Sequence, residues 1–178
     1  MPPFPSPVPG DHALILHAVR VATVAHHGQM RKYTGDPYIV HPLSVAQMVA
    51  HRTMDPHVIA AAVLHDVIED TSVTYHHLLS LFGERVAELV NELTDRYTHE
   101  AYPQFNRAQR KQMERDRLAT VSQDAQLIKG CDMLDNMWSI QTHDPGFYSV
   151  FMKEKQLLLE VLTGLDPHVR LQLENRLS

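Results

Sequence analysis

The most constraining feature of the chain is a short segment that is apolar on every side, Val58 to Leu64, ending in His65-Asp66. Asp55-Pro56 before it is a strong helix start: a cap that can accept from the first amides, then a proline whose missing N–H costs nothing at that position. A helix from Pro56 to about Val67, carrying Ile59, Ala60, Ala61, Ala62, Val63 and Leu64, is apolar on nearly all sides, so it is expected to be central to the core. His65 and Asp66 then sit at the C-terminal end of a buried helix, with Glu69-Asp70 following. Four ionisable groups against an apolar segment are costly to desolvate, and a structural role rarely accounts for all of them. A metal ion accounts for them: an imidazole and a carboxylate ligate, and the second carboxylate pair handles protons or water. If the helical path continues, His65 and Glu69 are four apart, as are Asp66 and Asp70, on neighbouring stripes of one surface.

The rest of the chain reads as helices around that one. Met1 to Gly10 holds five prolines and is expected to be a flexible or extended arm. Asp11 can cap a helix to about His26, with Leu14, Ile15, Ala18, Val21, Ala22 and Ala25 as its apolar face. Gly28, Gly35 and Pro37 mark a structured loop that carries the basic pair Arg31-Lys32. Pro42 is expected to start a helix to about Met54, leaving His41 at the loop-to-helix junction. Thr74 can cap a helix to Leu81, Phe82-Gly83 interrupts it, and Glu84 to about Leu93 resumes. Residues 94–106 read as a loop, and Arg107 to Ala119 as a basic-rich helix whose Arg107, Arg110 and Lys111 could contact phosphates. Ser122 can cap a helix from Gln123 to about Gln141, with Leu127, Ile128, Cys131, Leu134, Met137 and Trp138 on its apolar side. Asp132 and Asn136 adjoin that side, four apart. Asp144-Pro145 starts a helix ending at Gly164, and Asp166-Pro167 starts the last. No segment reads as a strand. The expectation is an all-α, single domain over residues 11–178.

Composition narrows the function classes. A net charge of −5 argues against a nucleic-acid binder, so a phosphate-bearing partner must be held by a local Lys/Arg cluster or a metal. The single Cys131 excludes an intramolecular disulfide framework and fits a reducing cytoplasm. No apolar run approaches membrane-spanning length, which argues against a membrane partner. The oligomeric state stays open, a homo-oligomer included.

The His-Asp dipeptide is uninformative alone. With thirteen His and twelve Asp in 178 residues, about one such pair arises by chance. There are two, and Asp144 of His143-Asp144 is explained as a helix cap. Context separates the other pair. A lone His41, then His65-Asp66, then Asp132 occur in an order that resembles the HD superfamily of metal-dependent phosphohydrolases. The resemblance sharpens to the hydrolase domain of the RelA/SpoT family. His27-Gly28-Gln29, Arg31-Lys32, Gly35, Pro37-Tyr38-Ile39 and His41-Pro42-Leu43 match its opening motif; Leu64 through Thr71 match its central motif; Phe82-Gly83 and Val86 match the segment after it; Ile128-Lys129, Asp132 and Asn136-Met137 match the late helix. The match covers roughly residues 12 to 165 and leaves no room for the family's synthetase domain, so the chain resembles the stand-alone small alarmone hydrolases of the metazoan SpoT-like type.

The resemblance implies a fold, a cofactor and a reaction. His41, His65, Asp66 and Asp132 would hold one Mn²⁺, and Glu69 and Asp70 would be catalytic, orienting and deprotonating the attacking water or protonating the leaving group. The family reaction removes pyrophosphate from the 3′ side of guanosine tetra- or pentaphosphate, so the partner would be a small nucleotide. Arg31 would lie against the base, Lys32 near the phosphates, and Asn136 against the ribose. One departure bears on substrate preference: the late motif usually carries a basic residue after its Asp, where this chain has Met133, and Asp135 is a gained charge. The same site on (p)ppApp or on the 2′-phosphate of NADPH, or a low-turnover nucleotide sensor, are the alternative readings.

Overall fold

The computed structural model describes residues 10–177; apart from Gly10, the proline-rich arm expected over residues 1–10 lies outside the described residues. Every regular element among the described residues is a helix, so the chain is all-α. No helix among them is long and apolar enough to cross a membrane. The backbone divides into two compact units, Met1–Thr94 and Asp95–Ser178.

The first unit contains α1 (Asp11–Ala25), α2 (Val40–Ala50), α3 (Pro56–Leu64), α4 (Val67–Asp70), α5 (Tyr75–Phe82) and α6 (Glu84–Leu93). As its composition requires, α3 is the central element: every residue from Val58 to Leu64 is buried, and α1, α2 and α6 pack around it. Asp55 caps it, accepting from the His57 amide at 2.9 Å, and also holds the Arg85 guanidinium at 2.6 Å. Burying such a side chain is worth about 1.5–3 kcal/mol for a Val, Leu or Ile. Thr74 and His77 form a capping box on α5, and Gly83, at φ 79°, supplies the left-handed residue that separates α5 from α6.

Several boundaries differ from expectation. Helix α1 begins at Asp11 itself, with Gly10 in the cap position. Helix α2 starts at Val40 rather than Pro42 and ends at Ala50, so His41 lies inside its first turn; Pro42 is tolerated there because first-turn amides have no intrahelical acceptor. Helix α3 stops at Leu64, and a separate one-turn helix, α4, restarts at Val67, so the continuous helix across His65-Asp66 is not formed.

The second unit contains α7 (Arg107–Leu118), α8 (Gln123–His143), α9 (Pro145–Val161) and α10 (Pro167–Leu177). Helix α8 packs on α9 and α10. Gly130 allows the close approach: a Cβ there would lie 2.7 Å from Leu165 Cδ1 and 2.8 Å from Val169 Cγ1. Helix α8 runs to His143, and Asp144 caps α9 by accepting from the Phe147 amide at 3.1 Å. Helix α9 ends at Val161, before Gly164. Trp138, expected in the core, is 59% exposed, whereas neighbouring Met137 is buried. The loop before α7 is clipped at its base. Buried Glu114 accepts from the Arg96 amide at 3.0 Å and the Tyr97 amide at 3.2 Å, and pairs with Arg117.

One buried group in the first unit sets a pH dependence. His17 of α1 is 1% exposed, its ring centroid 4.8 Å from that of Phe82, and neither ring nitrogen has a hydrogen-bond partner. Burial, then the charge of Arg20, lowers its pKa from the ordinary 6.5. The folded state therefore stays neutral while the unfolded chain gains a proton as the pH drops below 6.5, and folding stability falls in that window. Urea-unfolding midpoints measured at about pH 7.5 and about pH 5.5 should fall less for His17→Leu than for the parent.

Candidate active site

Three side chains of the first unit converge at the end of α3. His41 points inward from the first turn of α2 and is buried. His65, in the cap position after Leu64, is also buried, and its Nδ1 lies 2.8 Å from the Ala62 carbonyl oxygen. A carbonyl only accepts, so Nδ1 carries the proton. In the neutral ring Nε2 therefore presents a lone pair, and it faces Asp66 Oδ2 at 3.0 Å. His41 Nε2 lies 3.5 Å from the same oxygen, and the two imidazole centroids are 5.1 Å apart, edge to face. Two electron-rich atoms held at that distance in a poorly solvated place repel one another unless a positive charge lies with them. Imidazolium protonation would supply it, and so would a divalent cation, for which two imidazoles and a carboxylate are suitable donors.

The break between α3 and α4 aims these groups. Asp66 leaves the helical path at φ −99°, ψ −5°, while its carbonyl still accepts from the Asp70 amide at 3.0 Å. Glu69 and Asp70 are then presented by α4 as exposed carboxylates, whereas Asp66 is half-buried. A single continuing helix would have carried all four groups around one cylinder; the restart separates buried His65 and half-buried Asp66 from the exposed pair.

The loop from Gln29 to Tyr38 borders this cluster. It is a small closed hairpin: Tyr38 N–H donates to the Gln29 carbonyl at 2.9 Å, Arg31 N–H to Asp36 at 2.8 Å and Gly35 N–H to Arg31 at 3.1 Å. Gly28 and Gly35, at φ 80° and 72°, make turns that other residues would resist. Arg31 is half-buried, while Lys32 is exposed and folds back over the Tyr33 ring, its Nζ 4.7 Å from the centroid. Two side chains without an expected role lie against the cluster. Tyr38 O–H donates to Asp66 Oδ2 at 2.7 Å. Burial first, then the nearby Asp66 and Asp70 charges, push its pKa far above the ordinary phenol range, so the hydroxyl stays a donor. Buried His26 contacts Gln29 Oε1 through Nδ1 at 2.7 Å and lies against the Tyr38 ring, centroids 4.8 Å apart. Periodicity could not have found these, because Tyr38 and Asp66 are 28 residues apart and belong to no common element.

The second unit supplies the remaining expected groups. Asp132 of α8 is buried, its Oδ1 accepting from Asn136 Nδ2 at 2.5 Å and its Oδ2 lying 3.0 Å from Lys129 Nζ. Asn136 thus touches the carboxylate one helical turn away. Met133 is fully buried, so its departure from the family pattern falls in the core rather than on a solvent-facing surface. Of the basic helix α7, Arg107 makes a bidentate pair with Glu154 at 2.8 Å, Lys111 lies 3.3 Å from Asp95, and Arg110 donates to the Phe105 carbonyl. Asp95 and half-buried Lys155 extend the network. Burial pushes Asp95 up, but Lys129 and Lys111 outweigh it and hold the carboxyl below its ordinary value. Burial, reinforced by Lys129, pulls Lys155 down to about 8.

Comparison with known proteins places this arrangement. Residues 18–157 match the HD domain family model. The chain is 35% identical over 160 residues to the guanosine-3′,5′-bis(diphosphate) 3′-pyrophosphohydrolase MESH1 of Xenopus tropicalis, covering 87% of this chain and 86% of that protein. It is 52% identical over 73 residues to the bifunctional (p)ppGpp synthase/hydrolase SpoT of Escherichia coli K12, 41% of this chain and 10% of that one. A solved structure of a metazoan SpoT ortholog, described as hydrolysing ppGpp and acting in starvation responses, superposes with a TM-score of 0.83 at 27% identity, covering 95% of each chain. If the cluster at the end of α3 is a cation site, Asp66→Asn should weaken divalent-ion binding by more than about tenfold, read by titration calorimetry; unchanged affinity would remove Asp66 from the site.

Proposed function

The chain belongs to the HD-domain family, and on that premise we propose that it is a Mn²⁺-dependent 3′-pyrophosphohydrolase of guanosine 3′,5′-bis(diphosphate). The observation that carries the reading is the convergence of two imidazoles on one carboxylate oxygen, His65 Nε2 at 3.0 Å and His41 Nε2 at 3.5 Å from Asp66 Oδ2. This donor set needs a positive charge, and the substrate named for the MESH1 relatives supplies the chemistry on which that charge would act.

His41, His65, Asp66 and Asp132 would hold the ion. Two imidazoles and two carboxylates suit Mn²⁺ or a similar borderline ion. When bound, the ion supplies a Lewis acid for a phosphoryl oxygen and acidifies a water molecule. The protein's own part is positioning and proton transfer. Glu69 and Asp70 stand on α4 as exposed carboxylates next to the ligand Asp66. They take the proton of the attacking water and return one to the oxygen of the leaving group. Water attacks the phosphorus attached to the 3′-oxygen, the bond between that phosphorus and the 3′-oxygen breaks, and pyrophosphate leaves with GDP as the other product. Arg31, on the closed hairpin, stacks on the base, and Lys32 meets phosphates when it swings off Tyr33. Asn136 holds Asp132 through Nδ2, so a ribose contact falls to its carboxamide oxygen. A reducing compartment such as the cytoplasm suits a chain whose one cysteine is buried in α8.

Purified protein with Mn²⁺ should release pyrophosphate from ppGpp, with product identification over ppGpp, ppApp and NADPH fixing the substrate. No release from ppGpp by metal-loaded protein overturns the reading. The double substitution Glu69→Gln, Asp70→Asn should lower kcat by about 10²–10⁴-fold while Mn²⁺ affinity, measured by calorimetry, is retained. Unchanged turnover would remove both residues from the mechanism.

A further inference from the structure

Resting on that reading of the site, we propose that Tyr38 is a positioning residue that fixes the Asp66 carboxylate for the metal and ties it to the loop bearing Arg31 and Lys32. Its side chain and its backbone face two different parts of the site. The hydroxyl donates to Asp66 Oδ2, 2.7 Å away, the same oxygen that both imidazoles face. The backbone N–H closes the hairpin by donating to the Gln29 carbonyl.

The physical need for such a residue is specific. The terminal torsion of an aspartate is broad, so a carboxylate at a helix break has no preferred rotation of its own. Asp66 lies at such a break, between Leu64 and Val67. A carboxylate oxygen accepts two bonds, so a donor can hold Oδ2 on one lone pair and leave the other for a cation. Two imidazoles lie against the phenol ring. His26 lies against its ring at 4.8 Å and is fixed by Gln29, and the His41 ring meets it edge-on at 5.8 Å. The hydroxyl therefore has little freedom to release Asp66. This is the outer-shell arrangement that orders a metal ligand, and loss of such a partner typically costs 10–100-fold in affinity or activity.

Tyr38→Phe removes one oxygen and keeps the ring contacts. Mn²⁺ affinity by calorimetry should fall about 10–100-fold, kcat at limiting Mn²⁺ should fall with it, KM for ppGpp should stay within about twofold, and the melting temperature of the metal-free protein should be unchanged. Tyr38→Leu, which removes ring and hydroxyl together, separates the two roles. If Leu weakens Mn²⁺ binding and Phe does not, the ring packing matters and the hydroxyl does not, and the proposal is overturned. Equal Mn²⁺ affinity for parent and both variants overturns it as well. Calorimetry needs no turnover, so a parent that binds Mn²⁺ without cleaving ppGpp would sink the substrate assignment while leaving the Tyr38 comparison readable.

Discussion

The convergence of two imidazoles on one carboxylate oxygen, at 3.0 and 3.5 Å, is the constraint on which the site in the first unit depends. It exists because α3 is buried along Val58–Leu64 and stops at Leu64, which leaves His65 buried and Asp66 half-buried beside it. The imidazole is oriented by its bond to the Ala62 carbonyl, a backbone group of the same buried helix. Anything that loosens α3 therefore loosens the site, and the apolar alanines and valines that look like generic core are part of its geometry. Truncating Leu64 to Ala would remove about 2–5 kcal/mol of packing at the turn that aims His65.

The second unit solves a similar problem by different means. Asp132 is buried, yet it has a cation and an amide on its two oxygens, from Lys129 and Asn136 of the same helix. Asp132 is thus compensated within its own helix, whereas Asp66 is met by side chains from other parts of the first unit, His41 and Tyr38, as well as by its neighbour His65. The contrast follows from spacing: residues three and four apart on a helix meet, while adjacent residues at a helix end do not share a face and must be brought together by a break. The lowered Lys155 belongs to the same crowded network, where Lys111, Lys129 and Lys155 balance Asp95 and Asp132.

How much of this could be read from residues alone follows the range of each interaction. The central helix, the caps at Asp55, Thr74, Ser122 and Asp144, and the order of the ionisable groups are local, and all were legible. The break after Leu64 was not, because nothing in the composition of 64–70 forbids a continuous helix; packing of the buried segment decides where it ends. The exposure of Trp138 was misjudged for a related reason. It stands between buried Met137 and buried Ser139 and Ile140, on the outward side of α8. Tyr38 and His26 were invisible to spacing arguments, since their contacts to Asp66 and Gln29 depend on how the loop closes. Met133 shows the reverse: a departure that looked relevant to substrate choice in sequence turns out to be an interior packing residue.

The Glu114 clip has a consequence for how this fold can vary. Both amides that open the 95–106 loop are satisfied by one buried carboxylate in α7, and Arg117 neutralises it from the same helix. The start of the loop is thus anchored on α7. Loop closure costs rise only slowly with added length, so lengthening the loop beyond this anchor adds little closure entropy. The anchor lets the segment change in length while its first amides stay satisfied on α7.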